Sequence, residues 1–380
     1  MQLYRLGSRG PAVRHLRAQL ADLGLLGQPE GPARDGEVLE LDLFDDIVDE
    51  AVRSFQQSRG LRVDGIVGID TTRALDEAAR SLGDRLLYHS VSHPFVGDDV
   101  LELQSRLADM GFDVGRVDGI FGDRTEGALR EFQRNRGLAS DGACGPVTLR
   151  ELTRLQRTVV GGRPYELREA EQLRRRGPSL AGKTVVIDPG HGGEDPGWEV
   201  DGVSERDLMH DLACQLEGRL LAVGVNAFLT HHPRENPSDE QRSAMANETD
   251  ADLLVSLHTE GASSPRSQGV ATYYFGTGRT SSVVGERFAE LVHREIVART
   301  DLVDCRTHSK SWDMLRRTRM PAVRLELGYL TNDHDARALA SRDFRATVAE
   351  GILAAVQRIF LPPDLDPPTG QWRLPESLRS

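Results

Sequence analysis

The segment Thr184-Val-Val-Ile-Asp188 runs directly into Pro189-Gly190-His191-Gly192-Gly193. The first five residues form a short apolar run that is typical of a buried strand, and the glycines predict a tight loop at its carboxyl end. Open α/β sheets bind their ligands at the carboxyl ends of strands. The stretch therefore predicts a buried strand followed by a loop that places His191 where an open α/β sheet would bind a ligand.

Two further predicted elements downstream carry polar residues that suit a site. Ser204-Glu205-Arg206-Asp207 has the pattern of a helix start, which places Glu205 in the first turn, close to the preceding loop. A later apolar run ends in His258, and the run from 322 to 329 carries Glu326 between apolar neighbours, so both are predicted to be strands. Sequence spacing alone does not bring these residues together.

The first 155 residues contain an internal repeat. Phe55–Leu75 matches Phe132–Leu152 at a constant offset of 77 residues, and Phe-Gln, Arg-Gly-Leu and Asp-Gly groups occur in both. Apolar residues before these segments match at an offset of 87 residues. The difference between the two offsets means that the first copy has about ten extra residues, which lie in the Gly/Pro/acid-rich stretch 27–41. Apolar residues at helical spacing that stop at Gly24 and Gly111 predict a compact three-helix unit for each copy.

The second copy resembles a known family. From Gly97 it carries G-x-x-V-x-x-L-Q, then D-G-I-F-G-x-x-T-x-x-A-L-x-x-F-Q, then G-L-x-x-D-G-x-x-G-x-x-T, and it is similar to the three-helix peptidoglycan-binding domain of bacterial wall enzymes. The first copy lacks the D-G-x-F-G signature around Phe44-Asp45-Asp46. The resemblance implies binding of peptidoglycan or its muropeptide precursors, and a purely structural role for the same residues stays open.

The second half of the chain resembles another family. V-V-I-D-P-G-H-G-G-E-D-P-G, S-E-R-D-L, R-S-A-M-A-N (242–247), L-L-V-S-L-H and M-P-A-V-R-L-E-L-G-Y-L-T-N (320–332) follow one another in this order. The segment from Ala181 to Phe360 is thereby similar to the zinc-dependent N-acetylmuramoyl-L-alanine amidases. The resemblance implies an α/β domain with a twisted mixed sheet flanked by helices.

The amidase resemblance also implies a site. It matches His191, Glu205 and His258 to the family's zinc ligands, so Zn²⁺ is the expected cofactor and water takes the fourth position. It matches Glu326 to the catalytic glutamate, which would act as general base and then protonate the leaving amine. The implied reaction is hydrolysis of the amide between N-acetylmuramic acid and L-alanine of peptidoglycan.

Three residues depart from the family pattern without changing the ligands. Glu260 adds a carboxylate near the metal, and Trp198 stands where a small residue is usual. Arg324 shares a strand face with Glu326 under the two-residue period. We expect the two to pair, which would lower the pKa of Glu326 and weaken it as a proton donor. These departures predict weak activity.

The remaining candidate metal ligands lack support from any pattern. Five histidines are expected to have ordinary roles: His210, His231, His232, His308 and His334. Cys214 lies near a leucine stripe and is expected in the core.

The composition limits the partners and the compartment. With 47 Lys+Arg against 59 Asp+Glu, the formal net charge of −12 argues against nucleic acid or anionic lipid as the main partner. The three cysteines are widely spaced and form no C-x-x-C motif, which suits a reducing compartment. The N-terminal residues show no signal-peptide pattern, and no apolar stretch approaches the roughly 18 residues of a membrane span. We therefore expect a cytoplasmic protein.

These observations predict a multidomain chain, with two small all-α three-helix repeats before an α/β domain that has a twisted mixed sheet flanked by helices. The predicted boundaries are 1–80 for the first repeat, 95–155 for the second, 156–181 for a linker, 182–361 for the amidase domain and 362–380 for a flexible tail.

Two functional hypotheses remain. The first is an active zinc amidase, whose wall substrate lies outside the cytoplasm. The second is a weakly active or inactive cytoplasmic regulator that binds wall precursors or a precursor-synthesis enzyme. The zinc ligand set favours the first hypothesis, whereas the missing export signal, Glu260 and Arg324 favour the second.

Overall fold

The computed structural model describes residues 3–26, 41–156, 164–262, 264–277, 280–362, 365–367 and 369. The chain divides into two compact units, Met1–Tyr165 and Glu166–Ser380. This division lies inside the segment 156–181, which the sequence predicts to be a linker.

The first unit contains two three-helix repeats. Helices α1 (Pro11–Asp22), α2 (Asp46–Ser58) and α3 (Ile69–Ala78) form the first repeat, and α4 (Asp98–Asp109), α5 (Asp123–Asn135) and α6 (Pro146–Gln156) form the second. Each repeat packs its apolar helix faces into a separate core, which includes Phe55 in one and Phe132 in the other. Gly24 and Gly111 follow α1 and α4 with φ of 71° and 92°, a left-handed conformation that glycine adopts without strain. The all-α part of the predicted fold is confirmed.

A buried glutamine organises the Asp-Gly turn of the first repeat. Gln56 Nε2 lies 2.9 to 3.2 Å from Asp64 Oδ1, the Ile66 carbonyl and Thr71 Oγ1. Its Oε1 accepts hydrogen bonds from the backbone amides of Asp64 and Gly65. One side chain therefore forms hydrogen bonds with backbone groups of the turn that have no partner in a helix or a strand.

The same arrangement recurs twice in the second repeat, around Gln104 and Gln133. At the position equivalent to Gln104 the first repeat has Arg17, which donates to the Leu43 carbonyl and pairs with Asp45. Asp45 also caps α2. An ion pair and a helix cap thus take the place of the D-G-x-F-G turn that the first copy lacks.

The second unit is built on a six-stranded sheet. Its strands are β1 (Thr184–Pro189), β4 (Asn226–Leu229), β5 (Leu253–Glu260), β6 (Val270–Phe275), β7 (Asp304–Lys310) and β8 (Ala322–Tyr329), while β2 (Glu199–Val200) and β3 (Val203–Ser204) form a separate hairpin. The helices of this half are α7 (Pro164–Arg175), α8 (Glu205–Ala222), α9 (Asp239–Glu248), α10 (Val283–Val297), α11 (Asp313–Arg317), α12 (Asp333–Ala340) and α13 (Arg342–Phe360). Within the described chain, no helix has the length and apolar character needed to cross a membrane.

The sheet is mixed and covered on both faces. Its strand order is β4-β1-β5-β8-β6-β7, and all neighbouring pairs are parallel except β6 and β8. Val185 and Ile187 point into a core with α8, α10 and α13, whereas Val186 points into a second core with α9 and α11. The predicted α/β domain with a mixed sheet flanked by helices is confirmed.

Two segments that the sequence predicts to lack regular structure make defined contacts. Helix α7 lies in the predicted linker, and its Glu169 accepts a hydrogen bond from the Val284 amide at the start of α10. In the predicted tail, Asp366 accepts from Arg358 Nε at 2.6 Å, and Thr369 Oγ1 lies 3.1 Å from Arg358 Nη1. Most of the predicted tail lies outside the described residues.

Two neighbouring glutamines test the role of the buried amide. Gln56→Leu removes five hydrogen-bond contacts from a buried position, whereas Gln57→Leu changes an exposed side chain on the same helix. We expect Q56L to lower the free energy of unfolding of the first repeat by about 2 to 4 kcal/mol, because the turn amides lose their partner. Hydrogen exchange of peptides covering 61–71 measures this loss. Equal protection in the two variants would contradict it.

Candidate metal centre

The loop after β1 presents the first candidate ligand. His191 has a φ of 64°, a left-handed conformation that residues other than glycine rarely adopt. Its carbonyl oxygen accepts hydrogen bonds from His231 Nε2 at 2.6 Å and from Arg242 Nη2 at 3.2 Å. These two donors hold the loop in its strained conformation.

A buried ion pair supports the same loop. Arg242 Nη1 donates to Asp188 Oδ1 at 3.0 Å and to the Pro189 carbonyl at 2.9 Å. The hydroxyls of Ser256 and Thr230 each donate to Asp188 at 2.7 Å. Burial favours the neutral acid, but the Arg242 charge and these hydroxyls together hold the pKa of Asp188 below its usual value. The strand end therefore carries an ionised carboxylate that is fully hydrogen-bonded.

The structure brings His191, Glu205 and His258 together. One ligand atom from each lies within 4.8 Å of the others, and no other group of three such side chains in the described part of the chain meets this spacing. Glu205 Oε2 lies 3.2 Å from His191 Nε2, and Glu205 Oε1 lies 3.1 Å from His258 Nδ1. The N-terminus of α8 supplies Glu205, and the carboxyl end of β5 supplies His258.

Hydrogen bonds around the three residues orient their ligand atoms. Asp195 Oδ2 lies 2.8 Å from His191 Nδ1, which leaves Nε2 facing Glu205. The backbone amides of Trp198 and Thr259 donate to the two oxygens of Glu205 at 3.1 and 3.0 Å. A carboxylate behind a metal-binding histidine fixes the ring and raises its basicity. The arrangement thus combines three candidate ligands with groups that could support them in a metal site.

Burial and charge set the protonation of the three residues. Burial opposes a charge on His191, but Glu205 and Asp195 raise the pKa of His191 to about 9. Burial and the Arg324 charge lower the pKa of His258 to about 4. Burial also opposes a charge on Glu205, yet the two histidines hold its pKa well below the usual range. At neutral pH the metal-free site therefore holds a proton on His191 beside an ionised Glu205.

Glu326 lies next to the three residues, in register with His258 on the neighbouring strand. It is 2% exposed, its Oε1 accepts a hydrogen bond from Nε of Arg324 at 2.7 Å, and Nη2 of the same guanidinium lies 2.7 Å from that oxygen, so the two residues pair as the sequence predicts. The expected fall in pKa is wrong. Burial outweighs the Arg324 charge, and with the nearby carboxylates Glu260 and Glu205 it raises the pKa of Glu326 to about 8.

The other two departures from the family pattern also lie at this site. Glu260 ends β5, and its charge adds to the effect of burial in raising the pKa of Glu326. The Trp198 indole covers Gly261 so closely that a Cβ at that glycine would overlap it. The Trp198 side chain remains 38% exposed, and the backbone amide of the same residue donates to Glu205.

Sequence reasoning missed the residues that support the ligands. Asp195 and Arg242 both lie inside the quoted motifs, but only the structure shows that they contact His191. His231, which the sequence assigns an ordinary role, is buried and holds the His191 carbonyl. Cys214 is exposed, so its expected core position is wrong.

Family models match both halves of the chain. The model described as N-acetylmuramoyl-L-alanine amidase matches residues 185–358, and the putative peptidoglycan binding domain matches residues 9–75 and 96–152. N-acetylmuramoyl-L-alanine amidase CwlM of Mycobacterium tuberculosis is 49% identical over 379 residues, which are 98% of this chain and 93% of that relative. The chain belongs to the N-acetylmuramoyl-L-alanine amidase family. Both resemblances found in the sequence motifs are confirmed.

Other amidases match a little under half of the chain. N-acetylmuramoyl-L-alanine amidase CwlM of Bacillus licheniformis is 31% identical over 179 residues, 46% of this chain and 68% of that relative. The solved catalytic domain of CwlV, an N-acetylmuramoyl-L-alanine amidase from Bacillus (Paenibacillus) polymyxa, is 30% identical and covers 46% of this chain and 96% of that chain, with a TM-score of 0.43.

Zinc binding should displace the proton held on His191. We expect about one Zn²⁺ per chain and release of about one proton at pH 7, because a ligand nitrogen must be free of its proton. The apparent affinity should rise with pH until it passes the His191 pKa of about 9. Calorimetry in two buffers of different ionisation enthalpy counts the protons. His258→Asn should abolish tight binding, and His308→Asn, at an exposed position on β7, should not. Tight binding by H258N would contradict the assignment.

The buried ion pair should matter for stability as well as for the site. Arg242→Met leaves the buried Asp188 carboxylate without its cation, so we expect the free energy of unfolding of the second unit to fall by about 3 to 5 kcal/mol. Fluorescence of Trp198 and Trp312 during urea unfolding reports on this unit. Arg294→Met removes an exposed ion pair with Glu290 and should cost less than about 1 kcal/mol. Similar losses in both variants would refute the special role of Arg242.

Proposed function

We propose that the chain is a zinc-dependent amidase that hydrolyses the amide between N-acetylmuramic acid and L-alanine of peptidoglycan. The observation that carries this proposal is the position of Glu326, a buried carboxylate in register with His258 beside the candidate metal ligands. The name of the Mycobacterium tuberculosis relative, N-acetylmuramoyl-L-alanine amidase, supports the choice of substrate.

The donor set suits zinc. Two imidazole nitrogens and one carboxylate oxygen are a set that catalytic zinc sites use, with one position left for water or substrate. His191, Glu205 and His258 would hold the ion, and Asp195 would keep His191 in the required tautomer. When bound, zinc would polarise the amide carbonyl and lower the pKa of a water molecule.

Glu326 would move the proton. Its Oε2 would take a proton from the attacking water as the water oxygen adds to the carbonyl carbon, and would pass it to the L-alanine nitrogen as the C–N bond breaks. The products would be the lactyl carboxylate and a peptide with a free amino group. Burial raises the pKa of Glu326 above its usual value, which helps the carboxyl group hold the proton between the two steps.

The repeats would bring the amidase domain to its substrate, which is peptidoglycan or its muropeptide precursors. We propose the second repeat as the main binding unit, because it keeps the Asp118-Gly119 turn organised by Gln104. In the first repeat the contact of Arg17 with Asp45 takes the place of that turn. The net charge of −12 provides no general attraction to an anionic wall, so affinity would come from local contacts.

A second candidate function is a weakly active or inactive regulator in the cytoplasm that binds wall precursors or a precursor-synthesis enzyme. The ion pair of Arg324 with Glu326 favours it, because the guanidinium occupies one oxygen of the proton-transfer group. Glu260 favours it as well, since a carboxylate there would repel an anionic peptide stem. All three cysteines are free, which suits a reducing compartment and supports the predicted cytoplasmic location.

An assay on purified peptidoglycan separates the two functions. We expect the zinc-loaded chain to release stem peptides with N-terminal L-alanine and Glu326→Gln to slow release by about 10²- to 10⁴-fold, because the proton has no carrier. Mass spectrometry detects the peptides, and metal analysis shows whether zinc is retained. Glu290→Gln, on the exposed face of α10, is the matched control and should keep the wild-type rate. Stoichiometric zinc without release by the wild type would refute the amidase and favour the regulator.

A further inference from the structure

Arg324 makes the two oxygens of Glu326 unequal. The two residues lie two positions apart on β8, so their side chains share a face of the sheet. Both Nε and Nη2 of Arg324 lie 2.7 Å from the same oxygen, Oε1. The other oxygen, Oε2, is buried and has no hydrogen-bond partner within the described chain. One oxygen is thus held by the guanidinium, and the other is left for a ligand.

Aromatic side chains hold Arg324 in turn. Its Cζ lies 4.6 Å from the centroid of the Trp312 ring, and that ring lies 4.7 Å from the ring of Tyr273. Tyr273 is in register with Arg324 on the neighbouring strand β6. A guanidinium stacked on an aromatic face loses much of its rotational freedom, so Arg324 is a rigid donor.

Stability alone does not account for this pair. Burying an ion pair costs desolvation energy that the attraction between the charges often fails to recover. The carboxylates of Glu205 and Glu260 oppose the charge of Glu326 further. In the zinc-loaded site, a carboxylate that was free to turn would compete with water for the open position of the metal.

We infer that Arg324 is a positioning residue that holds Oε1 of Glu326, so that Oε2 alone transfers the proton and the carboxylate stays away from the metal. This inference rests on the proposed amidase function and deepens it. Arg324 then supports catalysis, and its removal slows the reaction instead of freeing an inhibited carboxylate.

Kinetics of Arg324 variants test the inference. Arg324→Met keeps the length of the side chain without its charge and should lower kcat by about 10- to 100-fold, with KM and zinc content little changed. Arg324→Lys keeps the positive charge but lacks the planar guanidinium with its several N–H donors, and it should recover part of kcat. Arg294→Met, which breaks an exposed arginine–glutamate pair on α10, should match the wild type. A rise in kcat in R324M, or a change confined to KM or zinc content, would overturn the inference.

Binding of acetohydroxamate to the zinc-loaded protein gives a readout that needs no turnover. This zinc ligand gives up a proton as it binds, so a well-placed Glu326 should strengthen binding. We expect R324M and Glu326→Gln each to weaken it by about 10-fold, and the double variant to show no further loss, because Arg324 acts through Glu326. If the wild type fails on peptidoglycan but shows this pattern, the proposed substrate is wrong and the positioning role stands. Additive losses, or unchanged binding in R324M, would refute the positioning role.

Discussion

The buried contact between Arg242 and Asp188 is the interaction on which the candidate site depends. Asp188 lies where β1 leaves the sheet, and a carboxylate buried there is tolerated because a guanidinium and two hydroxyls donate to it. The same guanidinium donates to the His191 carbonyl, 51 residues away in the chain. One side chain therefore neutralises the strand end and shapes the ligand loop, which is why His191 keeps a left-handed backbone without glycine.

The parallel pairing of the central strands supplies the rest of the geometry. β1, β5 and β8 are adjacent and parallel, so their carboxyl ends lie at one edge of the sheet, where α/β proteins bind ligands. The register places His258 beside Glu326 at that edge. Glu205 reaches the same point from the first turn of α8, where Ser204 caps the helix. His258 and Glu326 thus lie near strand ends, and Glu205 lies in the first turn of a helix, so regular elements position these candidate site residues.

Sequence reasoning succeeds where the signal is local. Strand runs, a helix cap and the repeat offset predict the elements and the fold class, and motif resemblance identifies the residues that the structure places together. It fails where the outcome depends on three-dimensional surroundings. The pairing of Arg324 with Glu326 follows from strand periodicity, but the pKa of Glu326 depends on burial and on Glu205 and Glu260, which strand periodicity does not reveal. The role of Arg242 in supporting the His191 loop likewise depends on its contact with Asp188 at the end of β1, 54 residues away in the chain.

The charges of the site also bear on its function. Glu205 and Asp195 are ionised close to Glu326, and in the metal-free state a proton on His191, the Arg324 guanidinium and the raised pKa of Glu326 limit the negative charge of the region. A dication in place of that proton would offset more, so the three ligands favour a metal whether or not any substrate is turned over. The ligand set by itself therefore does not separate an enzyme from a regulator. Glu326 is the residue that separates the two. Arg324 pairs with one of its oxygens, and the other is buried with no hydrogen-bond partner in the described structure. An apolar residue at this position would stabilise the fold better, so stability does not explain the carboxylate.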